Sequence, residues 1–467
     1  MSWNLKKVHL NIEDIFNLTS SVIYEPDKLK RIDYVSIDSR KIKKNTLFIA
    51  LKGKRLDGHK FIDDAIKNGA AVVMINHKNL NQFKSVQVPI ISVKDSTYAL
   101  GEVARIWRKK LNTKIIGITG SSGKTTVKEM IAELLSEKFS VNKTVSNNNN
   151  HIGVPLTILN TNDTHQILVA ELGTNHFGEI PYTAKILSPD YSLITNISVS
   201  HLEFLKSING VWKEKSFLFE ETIKNGGKVF LNYDDPIIKA KHYRQGEHLS
   251  YGFSGKTDVR ANLKNYSDDG KPVIEINCKK KHFDITLPIY GEQSAKNFLA
   301  ACTVALEMGL SIEEIKNAAK RLKAPAGRLD VQKYKKFILI DDTYNANPDS
   351  TKAAIELVGR IKTFKRKILF LGNMFELGSR SIKLHEGLIE QIRKSGINEV
   401  YTIGSLMKYL NKKLITTNIK SRHFSNRKLL VNFINGMSLD NSVVLVKGSR
   451  GMKMEEFVSV IKRKIMN

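Results

Sequence analysis

Cysteine is nearly missing from this chain. Its 467 residues include two, Cys278 and Cys302, too few for a disulfide framework or a four-cysteine zinc site. A pair this sparse fits a reducing cytosol. Long apolar runs are missing as well. No stretch reaches the ~18 consecutive apolar residues of a membrane-spanning helix. The opening Met-Ser-Trp-Asn-Leu-Lys-Lys also lacks the apolar core of a secretion signal. We therefore expect a cytoplasmic protein with no membrane span. Acidic residues are the third shortage: 46 Asp and Glu stand against 74 Lys and Arg, a formal charge of +28. Such a surplus points to anionic partners, whether nucleotides, nucleic acid or a membrane surface. The lysines are spread along the chain, without a basic tail or an aromatic-basic RNA motif. A nucleic-acid partner would want a clustered stripe and is not expected. A P-loop ATPase acting on nucleic acid is the alternative that charge alone would suggest.

The chain is rich where it is chemically pointed. An apolar run at Ile115–Ile118 reads as a buried strand, and Gly120-Ser121-Ser122-Gly123 follows as a tight loop. From Val127 to Lys138 the spacing is helical, with Met130, Ile131, Leu134 and Leu135 on one face. Strand, glycine loop, Lys-Thr and helix together make a phosphate cradle, because loop N–H groups and the positive helix end point at anionic oxygens. Thr119, Gly120, Ser121, Ser122, Gly123, Lys124, Thr125 and Thr126 are the candidate ATP-binding residues. Lys124 would reach the β/γ-phosphates, and the Thr125 hydroxyl would hold magnesium. The common GxxxxGK(S/T) spacing is not met, since Ile118 stands five residues before Gly123.

Length allows about three domains at ~150 residues each. Residues up to about 105 read as a small α/β unit, with strands at Tyr34–Arg40, Leu47–Leu51, Ala70–Ile75 and Val88–Val93 and a helix near Phe61–Asn68. Asp38, Ser39, Arg40, Lys52, Asp57 and His59 cluster at strand ends and turns, as ligand contacts or as ordinary turn chemistry. A helix at Tyr98–Leu111 leads into the cradle. Beyond it, Asn147–Asn150 reads either as low complexity or as a loop of amide donors and acceptors for a sugar or phosphate. The ordered Ile-Gly-Val-Pro-Leu that follows favours the loop.

The strand Gln166–Leu172 carries Glu171 at its end, where a nucleotide-bound magnesium needs a hard oxygen ligand. Tyr191–Ile194 runs on to His201, a second candidate for the metal region. An amphipathic helix at Val211–Phe219 carries Lys213 and Lys215, and residues 250–290 read as β-rich. A helix from Gly291 to about Leu310 presents Gln293, Ser294 and Asn297 in its first turn. Ala324-Pro-Ala-Gly-Arg328 marks a domain boundary. After it, strands at Phe337–Ile340, Lys367–Leu371, Val400–Ile403 and Val443–Val446, with a helix at Ser350–Arg360, form a doubly wound pattern. No GxGxxG opens this part, so no dinucleotide site is expected.

The stretches DSRKIKKNTLFIALKGKRLDGHKF, TGSSGKTT, NNNNHIGVPLT, ELGTNHFGEI, SHLEF, DDTYNANPDS, LGNMFELG and LVKGSRGM together resemble the Mur ligase family over almost the whole chain. Within it they resemble the members that join D-alanyl-D-alanine to UDP-N-acetylmuramoyl-tripeptide in peptidoglycan synthesis. The resemblance implies an α/β protein of three domains: a small UDP-substrate-binding domain at 1–108, a central P-loop ATP-binding ligase domain with a parallel sheet at 109–326, and a C-terminal Rossmann-like domain at 327–467. It implies ATP and two Mg2+ ions, UDP-N-acetylmuramoyl-tripeptide and D-alanyl-D-alanine as partners, and formation of an acyl phosphate with release of ADP; a monomer is expected.

Carried over by motif, Lys124, His201 and Lys215 are catalytic, and Thr125, Glu171, His201 and Lys215 are metal ligands. Lys215 falls on the family's carbamoylated lysine, with Lys213 as the neighbouring alternative. Asn297 and Asp342 would approach the adenosine and Arg328 the phosphates. Ser39, Arg40, Asn148 and Asn149 would bind substrate, and Asn345 and Asn347 would line the dipeptide side. Gln293-Ser294 departs from the family's usual His-Asn. A related amino-acid-adding ligase or a folylpolyglutamate synthase is the alternative reading.

Overall fold

Three sheets follow one another along the chain. The structure, a computed structural model, describes residues 5–29, 31–53, 55–241, 246–267, 270–278 and 281–466. The first sheet has five strands in the order Val22–Tyr24, Ile90–Val93, Ala70–Asn76, Thr46–Ile49, Tyr34–Ser36. All neighbours are parallel except at the Val22–Tyr24 edge. The expected strand Tyr34–Arg40 stops at Ser36. There the Ser36 hydroxyl accepts from the Asp38 N–H at 3.1 Å, and Asp38 Oδ1 accepts from the Arg40 N–H at 3.1 Å. Side-chain turns of this kind offer the backbone an alternative to the ladder.

The second sheet has nine strands. Lys281–Thr286, Pro272–Cys278 and Val259–Tyr266 form an antiparallel meander over the β-rich region. Glu247–Gly252, Lys228–Asn232, Tyr191–Ile194, Lys114–Thr119, Ile167–Glu171 and Val141–Lys143 continue it in parallel. Lys114–Thr119 reads as a continuous apolar run because both of its faces are buried. Ile116 and Ile118 pack with Val127, Ile131 and Phe298 on one face, whereas Ile115 joins Ala104, Ile158 and Leu187 on the other. That second cluster also takes in Leu47, Val72 and Met74 of the first sheet, so one apolar core ties the first two sheets together. The helix after the glycine loop begins at Lys124, three residues earlier than the apolar spacing suggested, and ends at Leu135.

The third sheet has six strands in the order Asp330–Lys333, Phe337–Asp342, Ser442–Lys447, Arg366–Gly372, Glu399–Ile403, Lys420–Phe424, and only the first is antiparallel to its neighbour. Alternate residues again serve two cores: Ile340, Leu369 and Leu445 on one face, Leu339, Phe370 and Val446 on the other. In the central sheet the chain leaves Ile167–Glu171 on one side of Lys114–Thr119 and returns as Tyr191–Ile194 on its other side. Loops diverge at the carboxyl ends of such strands, which is where open α/β sheets bind ligands. Among the described residues no helix is long and apolar enough to cross a membrane.

Candidate active site

Glycine is required at two points of the cradle. Gly120 takes φ +147°, and a Cβ there would lie 1.9 Å from Thr195 Oγ1. Gly123 takes φ +79° as it opens the Lys124–Leu135 helix, and a Cβ on it would lie 2.8 Å from Asn297 Oδ1. Both conformations favour glycine. The loop is tied to its surroundings from several sides. The Thr119 hydroxyl donates to the Leu172 carbonyl at 2.9 Å, and the Ser121 hydroxyl to the Ser198 carbonyl at 3.1 Å. The Ser122 N–H donates to Asn196 Oδ1 at 3.0 Å. Lys124 folds back so that Nζ donates to the Gly120 carbonyl at 2.7 Å.

Glu171 closes the floor. It is buried, and its Oε2 accepts from the Thr125 hydroxyl at 2.7 Å. Its Oε1 accepts from Asn149 Nδ2 at 2.8 Å. The asparagine run is ordered by its own amides: Asn149 meets the Glu171 carboxylate, and Asn150 Oδ1 accepts from the Ile152 and Gly153 N–H groups at 3.1 and 2.8 Å. Lys128, which sequence reasoning passed over, holds this loop from below. It is fully buried, donates to the Thr144 carbonyl at 2.7 Å, and lies 3.0 Å from Glu129 Oε1. The signal was present: Lys128 stands three residues before Ile131, on the apolar face of its helix, where a charge needs a partner.

The cleft gathers positive groups. Burial pushes the Lys124 amine below its ordinary range; Glu171 opposes this and the Arg328 charge adds to it. Lys215 lies well below, first through burial, then through the Lys124 charge, with Glu214 opposing. It is 1% exposed, whereas Lys213 is exposed to solvent. Glu214 is itself committed, accepting from the Gly178 and Ile180 N–H groups at 2.8 and 2.7 Å, at the start of the Glu179–Leu187 helix. The Arg328 guanidinium lies 3.9 Å over the Tyr344 ring, a cation–π contact.

The third sheet supplies the facing wall. Asp342 is buried against Lys447 Nζ, and its Oδ1 accepts from the Leu329 N–H at 3.1 Å. Lys447 also donates to the Asn345 carbonyl at 3.0 Å. Asn347 Oδ1 caps the Pro348–Arg360 helix through the Ser350 N–H at 2.8 Å. From the central domain, His201 Nδ1 lies 2.5 Å from Glu376 Oε2. His201 beside it holds the Glu376 carboxyl below the usual range, although Nδ1 makes no aligned hydrogen bond in this arrangement.

The resulting cleft has a volume of about 760 Å³. It is lined by Ser121, Ser122, Gly123, Lys124, Thr125, Thr126, Asn149, Glu171, His201, Asn297, Arg328, Asp342, Asn345 and Asn347 among the sequence candidates, with Gln293, Ser294 and Lys447. Thr119, Gly120, Asn148 and Lys215 are not among the lining residues, and Ser39 and Arg40 lie on the first sheet's side, outside the lining. Arg40 is exposed, with Nε and Nη2 each donating to an Asp38 oxygen at 2.8 Å, and Ser39 is buried with its carbonyl accepting from Asn68 Nδ2 at 2.9 Å. His59 proves to be internal turn chemistry: its Nδ1 lies 2.6 Å from Asp57 Oδ1, and its Nε2 accepts from the Asn76 N–H at 3.1 Å.

Comparison with known proteins gives three consecutive family matches. Residues 31–108 match "Mur ligase family, catalytic domain", 118–305 match "Mur ligase middle domain", and 327–450 match "Mur ligase, glutamate ligase domain". The chain is 35% identical over 404 residues to the UDP-N-acetylmuramoyl-tripeptide--D-alanyl-D-alanine ligase of Haemophilus influenzae, covering 85% of each chain. It is 33% identical over 381 residues to the Escherichia coli protein of the same name, covering 80% of this chain and 81% of that one. Among solved structures, MurF from Acinetobacter baumannii superposes with a TM-score of 0.86 at 27% identity, covering 99% of this chain and 100% of that one. MurF from Thermotoga maritima in complex with ADP superposes with a TM-score of 0.82 at 28% identity, covering 92% and 97%.

Proposed function

The chain belongs to the Mur ligase family, and on that premise we propose that it uses ATP to join D-alanyl-D-alanine to UDP-N-acetylmuramoyl-tripeptide in peptidoglycan precursor synthesis. One observation carries the reading beyond the likeness. The Thr125 hydroxyl meets the buried Glu171 carboxylate at 2.7 Å beside the Lys124 cradle, in a cleft whose facing wall comes from the third sheet.

The chemistry follows from the charges. The tripeptide carboxylate attacks the ATP γ-phosphorus and ADP leaves, giving an acyl phosphate. The dipeptide amine attacks that carbonyl, phosphate leaves, and the amine proton passes to solvent. Both steps crowd anions together, so catalysis is mostly positioning and electrostatic stabilisation. Lys124, Arg328 and the N-terminus of the Lys124–Leu135 helix face the phosphates. Asn297 and Asp342 serve the adenosine, Ser39, Arg40, Asn148 and Asn149 the UDP-linked substrate, and Asn345 and Asn347 the dipeptide. The donor set suits magnesium, since a hydroxyl, a carboxylate and an imidazole are hard or borderline ligands. Thr125, Glu171, His201 and a carbamoylated Lys215 would hold two ions, which when bound would neutralise phosphate charge. For Lys215 the support is its buried, deprotonation-prone amine, the form that adds to CO2 with loss of a proton.

We assign substrate binding to 1–108, ATP binding to 109–326 and closure to 327–467; the three sheets fall within these ranges. Within this reading the enzyme acts in the cytoplasm, where ATP and a UDP-linked substrate meet. Within the same reading it acts as a monomer. The test is a ligation assay with UDP-tripeptide, ATP and D-alanyl-D-alanine, following amide and ADP together. Equal amounts of both are expected. Amide without ADP, or neither product, would overturn the reading.

A further inference from the structure

Two residues other than glycine meet across the cleft with left-handed backbones, His201 at φ +51° and Glu376 at φ +62°. Each such residue costs about 1–2 kcal/mol. Strain of this kind persists only where the surroundings over-determine it, and it gathers at functional positions.

The surroundings of Glu376 do over-determine it. The segment after the Arg366–Gly372 strand is fastened residue by residue. Asn373 Oδ1 accepts from the Leu406 and Met407 N–H groups, both at 3.0 Å, and the Asn373 carbonyl accepts from the Ser449 N–H at 2.9 Å. The Met374 N–H donates to His385 Nε2 at 2.9 Å. The Phe375 N–H donates to Ser449 Oγ at 2.8 Å. His385 is fully buried, and its Nδ1 lies 2.6 Å from the Ser381 carbonyl. A carbonyl only accepts, so Nδ1 carries the proton and Nε2 receives the Met374 N–H. Glu376 follows directly, and its carboxylate is delivered to His201 Nδ1 at 2.5 Å. Gly378 then lies against the Leu202–Leu205 helix, which begins beside His201.

We propose that Glu376 is a positioning residue for His201. The carboxylate stands 2.5 Å from Nδ1, a buried nitrogen that no aligned hydrogen bond satisfies in this arrangement. A small turn of the ring would seat its proton on Glu376 and leave Nε2 as the lone-pair face. Because Glu376 follows a strand of the third sheet, the imidazole is oriented only when that domain is docked. A carboxylate behind an imidazole fixes both tautomer and ring direction, and removing such a partner typically costs 10–100-fold. The inference rests on the proposed role of His201 toward magnesium. It adds that the C-terminal domain completes the histidine as well as closing over the nucleotide.

The test uses the full chain, Glu376→Ala and Glu376→Gln, with thermal melting as the fold control. The tautomer is read from the ring-nitrogen shifts of 15N-histidine-labelled protein, with His201→Gln supplying the assignment. In the wild type His201 should show a protonated Nδ1 and an unprotonated Nε2. Glu376→Ala should lose that pattern, and turnover should fall at least 10-fold with KM for ATP changed less than 3-fold. Glu376→Gln, whose amide oxygen still accepts a proton, should keep the pattern and recover part of the turnover. An Ala variant with an unaltered His201 spectrum, or with turnover within 2-fold of wild type, overturns the proposal. Failure of the wild type to make amide would instead sink the ligase reading, while the shifts would still report whether Glu376 sets the ring.

Discussion

Replacing Lys124 with methionine keeps the side-chain length and removes one charge. The folded state relies on that charge very little. Lys124 makes one hydrogen bond, to the Gly120 carbonyl at 2.7 Å, a contribution of about 1 kcal/mol. Its loss is offset by no longer burying an ammonium group whose ionisation burial already disfavours. The melting midpoint should therefore move by no more than about 3 °C in either direction. Catalysis is a different matter. A unit charge about 4 Å from a phosphate oxygen, at an effective dielectric constant of about 20, contributes ~4 kcal/mol. That is about a thousandfold in rate. Arg328 sits near enough to lower the Lys124 pKa, but its guanidinium is stacked 3.9 Å over the Tyr344 ring and does not replace an amine rising from the cradle itself. We expect kcat/KM to drop about 10³-fold with the fold intact, measured as coupled ADP release and amide formation at saturating peptide substrates. A well-folded Lys124→Met variant within about 5-fold of wild type would refute the electrostatic account of the cradle.

Three further outcomes can be checked. Gly120→Ala places a Cβ 1.9 Å from Thr195 Oγ1 at φ +147°, so nucleotide affinity by calorimetry should fall more than ~10-fold and stability by more than ~1 kcal/mol; unchanged affinity would contradict the fit. Lys215→Ala should lose most activity and regain part of it with a short-chain carboxylic acid, whereas full activity in ambient CO2 would rule out the carbamate. Lys367 is buried with Nζ on the Ile361 carbonyl, and burial lowers its pKa to about 8. The unfolded value is about 10.4, so between these two pH values the unfolded chain holds more protons and stability rises with pH. Lys367→Met should thus gain ~2 kcal/mol at pH 7, about 3 from the removed penalty less about 1 for the lost bond. The gain should vanish above about pH 10.4; equal melting midpoints of variant and wild type at pH 7 would refute it.

What the sequence made legible was whatever is local and periodic. Ile115–Ile118 announced a strand buried on both faces, Gly120 and Gly123 announced a turn only glycine makes, and Glu171 announced itself by ending a strand beside that turn. The third sheet was readable for the same reason, its apolar runs ending in polar clusters. What was hidden depends on contacts distant in the chain. Nothing in the run of four asparagines says that Asn149 alone turns to Glu171. Asp342 was legible as a polar strand end, but its carboxylate is taken up by Lys447 and the Leu329 N–H, partners fixed only once two parallel strands are side by side. The early end of the Tyr34–Ser36 strand follows from side-chain turns at Ser36 and Asp38, which compete with a ladder that periodicity alone would extend.

The way charges are compensated around the cleft links neutralisation to docking. Lys447 is matched within its own domain by Asp342, and the Lys124 charge is opposed by Glu171 within the central one. Arg328, at the junction of the two, lies over the Tyr344 ring and, among the described residues, against no carboxylate. An aromatic face is a weak substitute for an anion, worth about 0.5–2 kcal/mol. A triphosphate reaching from Lys124 to Arg328 would therefore gain most when the junction is closed, because only then do both cations face the same water-poor space where Coulomb terms grow. Nucleotide binding and closure are on this account one coupled equilibrium. Each can shift the other by no more than the difference in triphosphate affinity between the open and closed arrangements.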